Sequence, residues 1–287
     1  MTMNPARRMT WTVFIIGALA AAAAVIPFLL TEGPGPSEHL SVRGETVLLH
    51  GYGPYRHMPA EVAVQGLAQD LVTLVLGLPF LGFALVWARR GSRAGHLALT
   101  GAAAYLFVQY TMYLAMGTYN ELFLLWVLLV LLTFQVLVRL LLAAPASNFK
   151  VSSDSNAARR FVGGLLVLNG VLIALLWLGV VIPPFLAGTH LPVGLAHFTT
   201  LIVQGLDLAL FLPASVLSGY WYLRRKAAGD LLAPVYAVFL SLQMTALLAK
   251  LVWMAKLGAG GGPALVIIPT LLLAALVAAY LSLRPLR

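Results

Sequence analysis

Cysteine is absent from the 287 residues. Disulfides, cysteine-ligated zinc, iron–sulfur clusters, thiol catalysis and a dithiol redox role of the vitamin-K-reductase type are therefore excluded. Charge is scarce as well: 9% of the residues are charged, against about 25% in a soluble domain. With 61% apolar residues, a water-exposed surface of this composition would aggregate. The apolar runs lack the alternation of polar and apolar residues that a membrane β-barrel requires, so continuous helices are expected. No pair of histidines faces another in mid-helix, which argues against axial ligation of a buried haem.

What is present is a succession of apolar stretches long enough to cross a bilayer. About 20 residues are needed, because the hydrocarbon core is about 30 Å thick and a helix rises 1.5 Å per residue. The stretches fall at Trp11–Leu30, Val62–Trp87, Leu97–Met116, Leu122–Leu142, Phe161–Ile182, Thr199–Leu223, Leu231–Ala255 and Pro263–Leu283. The fold class is thus all-α, a polytopic transmembrane bundle of about eight spans. The first span, preceded by Arg7 and Arg8, reads as a retained signal anchor, since its apolar core exceeds the usual signal-peptide length. Residues 31–60 form a Gly- and Pro-rich loop outside the membrane.

The formal net charge of +9 does not indicate a nucleic-acid partner, because the basic residues sit in short clusters between spans. Assigning alternate loops to alternate sides places Arg7, Arg8, Arg89, Arg90, Arg93, Arg139, Lys150, Arg159, Arg160, Arg224, Arg225, Lys226, Arg284 and Arg287 on one face. Only Arg43, Arg56 and Lys256 lie on the other. The positive-inside rule makes the first face cytoplasmic and puts both termini there, with lipids as the expected surroundings.

The polar segment around residues 146–160 divides the chain into two four-helix halves, 1–145 and 161–287. A 4+4 parallel internal repeat is expected from one shared order of features. The second span reads Val64-Gln65-Gly66-Leu67, Asp70, Pro79, Arg89-Arg90, and the sixth reads Val203-Gln204-Gly205-Leu206, Asp207, Pro213, Arg224-Arg225. The spacing from Asp to Pro differs by about one helical turn.

Ionisable side chains at membrane depth are costly and mark functional candidates. Asp70, Asp207 and Lys250 qualify, accompanied by Gln65, Gln69 and Gln204. Together they predict an outward-facing polar cluster that binds a small ligand or ion, in transport or sensing. The structural alternative is an Asp–Lys pair that only fixes helix packing. A membrane-embedded enzyme acting on a lipid or isoprenoid head group, with the aspartates and a loop histidine as acid and base, is a second reading. An accessory subunit of a larger membrane complex is a third. A zinc site from His57, His190, His197 and Asp207 has no helical ligand spacing behind it, and solvated loop histidines are preferred. No motif identifies a cofactor. Tyr105, Tyr110 and Tyr113, with Trp87, Trp221, Tyr220 and Tyr222, are expected to form interfacial anchoring belts.

The stretch HGYGPYRHMPAEVAVQGLAQDLVTLVLGLPFLGFALVWARRGS, with YNELFL and LIVQGLDLALFLP further on, resembles a set of uncharacterised multi-pass inner-membrane proteins of high-GC bacteria. The resemblance runs from about Gly51 to Lys226. It implies a multi-span topology and no activity, cofactor or catalytic residue.

Overall fold

The computed structural model describes residues 5–143, 146–149, 155–189, 191–192, 194–256, 258 and 262–286. Lys150, His190, Arg287 and part of the linker 146–160 lie outside the described residues. Among those described, eight helices are long and apolar enough to cross a membrane, and the chain is an integral, multi-pass membrane protein. They are α1 (Pro5–Leu29), α2 (Ala60–Arg89), α3 (Arg93–Met116), α4 (Phe123–Leu142), α5 (Asn156–Leu186), α6 (Ile202–Leu223), α7 (Ala227–Lys256) and α8 (Ala264–Leu283).

Within residues 5–142, α1 packs on α2 and α4, α2 on α3, and α3 on α4, closing a ring of four helices. Within 156–283, α5 packs on α6 and α8, α6 on α7, and α7 on α8, closing a second ring. The rings meet where α7 lies against both α2 and α3. Helices α3 and α7 are the most enclosed: 67% of the apolar window of α3 and 61% of that of α7 are buried, against 11% for α8. Helices buried on most sides carry no amphipathic signature, which is why apolar length alone locates them. The main core lies in the first ring, around Tyr105, Tyr110, Trp126, Leu129 and Leu106.

Both α2 and α6 contain a π-helical turn, at Thr73–Gly77 and Asp207–Phe211. In each, an i→i−5 hydrogen bond closes the turn, from Leu78 N–H to the Thr73 carbonyl and from Leu212 N–H to the Asp207 carbonyl. A proline follows at once, Pro79 or Pro213. Proline has no N–H to offer and its ring crowds the carbonyl four residues back, so an α-helix upstream of it must loosen, and a widened turn is one way to do so. The α-helical segments after the bulges, Leu78–Arg89 and Leu212–Leu223, are each 12 residues long.

Each then turns tightly into the next helix against a glycine. A Cβ on Gly95 would sit 2.6 Å from Ala88 N, and one on Gly229 would sit 2.2 Å from Tyr222 N. When Pro79 is set against Pro213, these glycines, the bulges and Trp87 with Trp221 all coincide without a gap. That register pairs Gln204 with Asp70 and Asp207 with Thr73. It lies five residues, close to a turn and a half, from the register that the Val-Gln-Gly-Leu segments suggest.

The α1–α2 loop is ordered. An antiparallel hairpin of β1 (Ser37–Leu40) and β2 (Thr46–Leu49) leads to a 3-10 turn at Gly53–Tyr55. The loop is fastened at two places. Arg56 pairs with Glu121 on the α3–α4 turn at 2.6 Å, and the Arg43 guanidinium donates to the Phe198 carbonyl. We call this side of the molecule the loop face and the other the arginine face.

Candidate functional site

Asp70 is fully buried, on the turn of α2 that precedes the bulge. Each carboxylate oxygen accepts from a phenol: Tyr55 Oη donates to Oδ2 at 2.7 Å and Tyr113 Oη reaches Oδ1 at 2.9 Å. Tyr113 Oη is also 2.9 Å from the Gly66 carbonyl. Tyr113 arrives from α3, whereas Tyr55 arrives from the loop, with Pro54 setting the start of its 3-10 turn. The Tyr55 ring stacks on Trp126 at 6.5 Å and meets the edge of Tyr113 at 6.2 Å. It lies directly over Gly66, where a Cβ would be 3.2 Å from the ring. Burial, and then the adjacent Asp70 carboxylate, push the Tyr55 phenol well above its ordinary value, so it stays a hydrogen-bond donor at any physiological pH.

A second tier lies one turn further in. Gln69 Nε2 donates to Tyr105 Oη at 2.8 Å, and Thr73 Oγ1 donates to Gln109 Oε1 at 2.8 Å. Gln69 Oε1 and Gln109 Nε2 are buried and have no hydrogen-bond partner among the described residues. An unmet buried polar atom costs about 1–3 kcal/mol, so these two atoms mark a place where a water or a ligand would be bound.

Lys250 faces this site from α7. Gln65 Nε2 on α2 lies 4.0 Å from the Met254 sulfur on α7. Five residues from Gln65 to Asp70 and four from Met254 to Lys250 carry each helix about 6–8 Å toward the membrane centre. Asp70 and Lys250 thus reach the same depth. Yet the half-buried Lys250 makes no ion pair within 4.0 Å and no hydrogen bond among the described residues.

Of the residues expected to cluster, Asp70 and Gln69 are both buried on α2, in adjoining networks, while Gln65 on α2 approaches Met254 of α7, one turn from Lys250. Asp207 and Gln204 stand apart on α6, both half-buried. Asp207 accepts from Trp177 Nε1 at 2.8 Å, outside the Asp70 network. The structure corrects the expected tyrosine belt: Tyr105 and Tyr110 are fully buried, and Tyr113 binds Asp70. Tyr222 is buried too. Among the described residues, no group of three or more His, Cys, Asp or Glu side chains could hold a metal ion; His39 and His197 merely approach edge to face at 5.7 Å.

Sequence reasoning misses Tyr55 and Thr73 altogether. It also misses a buried ion pair toward the arginine face, where Arg159 Nη1 is 2.8 Å from Asp230 Oδ1, with side chains only 4% and 2% exposed. Arg159 Nη1 also donates to the Tyr222 carbonyl at 2.7 Å, and the guanidinium lies 4.1 Å from the centre of the Tyr222 ring. A signal does exist, because Asp230 and Asp154 are the only acids in the arginine-rich segments.

A cavity of about 370 Å³ opens at the loop face between the end of α1 and the loop, lined by Pro27, Phe28, His50, Tyr52, Tyr55 and Leu67. Tyr55 forms part of its wall while its hydroxyl reaches Asp70. Burial lowers the His50 imidazole from its ordinary value, so the lining is uncharged at neutral pH. Comparison with family models, with curated proteins and with solved structures finds no match to this chain.

Proposed function

We propose that this chain binds a small polar ligand or ion at a membrane-embedded site centred on Asp70, in a bacterial inner membrane, and works in transport or sensing. The observation that carries the reading is the geometry around Asp70. The fully buried Asp70 is held by two phenols, and among the described residues neither it nor Lys250, at its depth on the facing helix, has an ion-pair partner within 4.0 Å. An arrangement selected for packing alone would close such a pair, because separated charges at depth cost more than joined ones.

In this reading the loop face is outward, since the arginine clusters mark the inner side, and the site opens away from the cytoplasm. We also take the two four-helix rings to be copies of one ancestral unit, related by an axis along the membrane normal. The coincident bulges, prolines and turn glycines support that relation. The lipid-head-group enzyme needs a histidine beside the carboxylate. Among the described residues none hydrogen-bonds Asp70, so that chemistry lacks its second group.

The test is a thermal-shift screen of the protein in lipid nanodiscs, wild type beside Asp70→Asn. The probes are sodium, potassium, chloride, small amines, carboxylates and amino acids. A ligand at one hundred times its Kd stabilises by about 2.7 kcal/mol, so at least one class should raise the wild-type Tm by several degrees and leave the variant unmoved. Equal profiles for a folded Asp70→Asn and the wild type would reject the site.

A further inference from the structure

Accepting that Asp70 marks a ligand site, the class of ligand can be argued from the charges around it. We propose that it is a small zwitterion with an apolar side chain, of the α-amino acid class. Its ammonium would take the place of the Tyr55 hydroxyl on Asp70 Oδ2, and its carboxylate would meet the Lys250 ammonium.

The first argument is charge balance. Asp70 and Lys250 lie at equal depth more than 4.0 Å apart, and among the described residues neither has an ion-pair partner; ionised together, they form a split pair. An amine alone would satisfy Asp70 but be repelled by Lys250. A carboxylate alone would satisfy Lys250 but be repelled by Asp70. In a low-dielectric site each mismatch is costly, since unlike and like charges interact there far more strongly than in water. A molecule carrying both charges on one carbon satisfies both groups. With a charge-assisted bond of about 2.8 Å at each end, it spans two protein charges that are too far apart to pair directly.

The second argument is the chemistry of exchange. Tyr55 donates to Asp70 Oδ2, so whatever replaces it must also be a donor, as an ammonium is. The Tyr55 ring, whose hydroxyl meets that oxygen, lies within 6.5 Å of the Tyr113 and Trp126 rings, and aromatic faces favour a cation brought beside them. The two unpartnered amide atoms, Gln69 Oε1 and Gln109 Nε2, supply one further acceptor and one further donor in the adjoining tier.

The third argument is access. Tyr55 separates Asp70 from the 370 Å³ cavity, whose volume lies in the range of small-molecule sites, about 300–1,000 Å³. Its walls are mainly the apolar surfaces of Pro27, Phe28 and Leu67 with the rings of Tyr52 and Tyr55. They suit an aliphatic side chain and do not suit a second charge. Tyr55 sits on a loop rather than a spanning helix, so rotation of one side chain joins cavity and carboxylate without moving the bundle.

The experiment is a calorimetric titration of nanodisc-embedded wild type with three probes: L-leucine, 3-methylbutylamine, which is leucine without its carboxylate, and 4-methylpentanoate, which is leucine without its ammonium. Leucine is expected to bind at least tenfold more tightly than either half-molecule. Lys250→Met should abolish the advantage of leucine over the amine, and Asp70→Asn should weaken leucine at least tenfold. The wild-type comparison needs no variant and so holds even if one fails to fold. If the amine binds as well as leucine, the zwitterion assignment fails while the Asp70 site stands. The assignment fails in the same way if leucine is silent and another class gives an Asp70-dependent shift. If no probe in either experiment depends on Asp70, both readings fail.

Discussion

Removing the charge of Asp230 should damage this protein more than removing its whole partnership with Arg159. Both side chains are almost completely enclosed and their charged atoms are 2.8 Å apart. Arginine keeps its proton under all accessible conditions. Asp230→Leu therefore leaves a buried cation facing an apolar side chain, and breaking a buried pair in this way costs about 3–5 kcal/mol. That is a large fraction of the roughly 5–15 kcal/mol that stabilises a typical domain.

In the double variant Arg159→Met/Asp230→Leu no charge remains to be desolvated. What is lost is the hydrogen bond to the Tyr222 carbonyl and the cation over the Tyr222 ring, about 1 kcal/mol for the first and about 0.5–2 kcal/mol for the second. The double variant should therefore be more stable than Asp230→Leu by about 1–3 kcal/mol. The assay is reversible unfolding in a fixed detergent, followed by tryptophan fluorescence, for wild type, both single variants and the double. If Asp230→Leu and the double variant lose the same stability, or if Asp230→Leu loses less than about 1 kcal/mol, the pair is hydrated and the argument from its burial is wrong.

Three further outcomes are expected. Tyr55→Phe and Tyr113→Phe each remove a hydrogen bond to a carboxylate, worth about 1.5–3 kcal/mol; in a double-mutant cycle the two should be coupled, because they share Asp70, and strict additivity in unfolding experiments would contradict the shared acceptor. Gly95→Ala and Gly229→Ala force a Cβ into backbone at 2.6 and 2.2 Å, so each should destabilise by about 1–3 kcal/mol or more, and an unchanged Tm for either would refute the tight helix turn. For the loop, burial holds the His50 and His197 imidazoles below their ordinary 6.5. The unfolded loop thus takes up protons first: its stability is full above pH 6.5 and declines as the pH falls through the lowered folded values. Hydrogen-exchange protection factors across residues 31–59, corrected for the intrinsic exchange rate at each pH, should fall as the pH drops below 6.5, and His50→Gln should flatten the slope; an identical slope would exclude His50 as a source.

The eight spans are legible in the sequence because spanning is a local property: each needs only enough consecutive apolar residues, and the observed boundaries differ from those expected by a few residues. Burial of a particular side chain is not local. Nothing in α3 marks which side faces lipid, so its sequence alone makes Tyr105, Tyr110 and Tyr113 an interfacial belt. The structure encloses α3 and α7 together at the junction of the rings, and there a tyrosine becomes a buried donor. Arg159 looks like one more inside-positive charge, for its partner Asp230 is distant in sequence and meets it only when α5 and α7 pack beside α6. Tyr55 is hidden by its place in a Gly- and Pro-rich loop, whose order depends on the Arg56–Glu121 and Arg43–Phe198 contacts.

The proposed duplication makes the difference between Asp70 and Asp207 informative. Matching Val-Gln-Gly-Leu segments bring the two aspartates to within two residues of each other, but short motifs recur readily in a chain rich in Leu and Gly. Bulge, proline, helix length and turn glycine are mechanically linked and cannot slip separately, so their register is the stronger guide. In that register Asp207 stands in the place of Thr73 and Gln204 in the place of Asp70, while His96 stands in the place of Asp230. The ring of α1–α4 thus carries its buried carboxylate toward the loop face, without an ionic partner among the described residues. The ring of α5–α8 carries one toward the arginine face, closed by Arg159. A closed pair suits an anchor and an open carboxylate suits a ligand, so Asp70→Asn should affect binding more than stability and Asp230→Asn the reverse. Measuring both quantities on both variants would separate the two roles, and equal effects would remove the distinction.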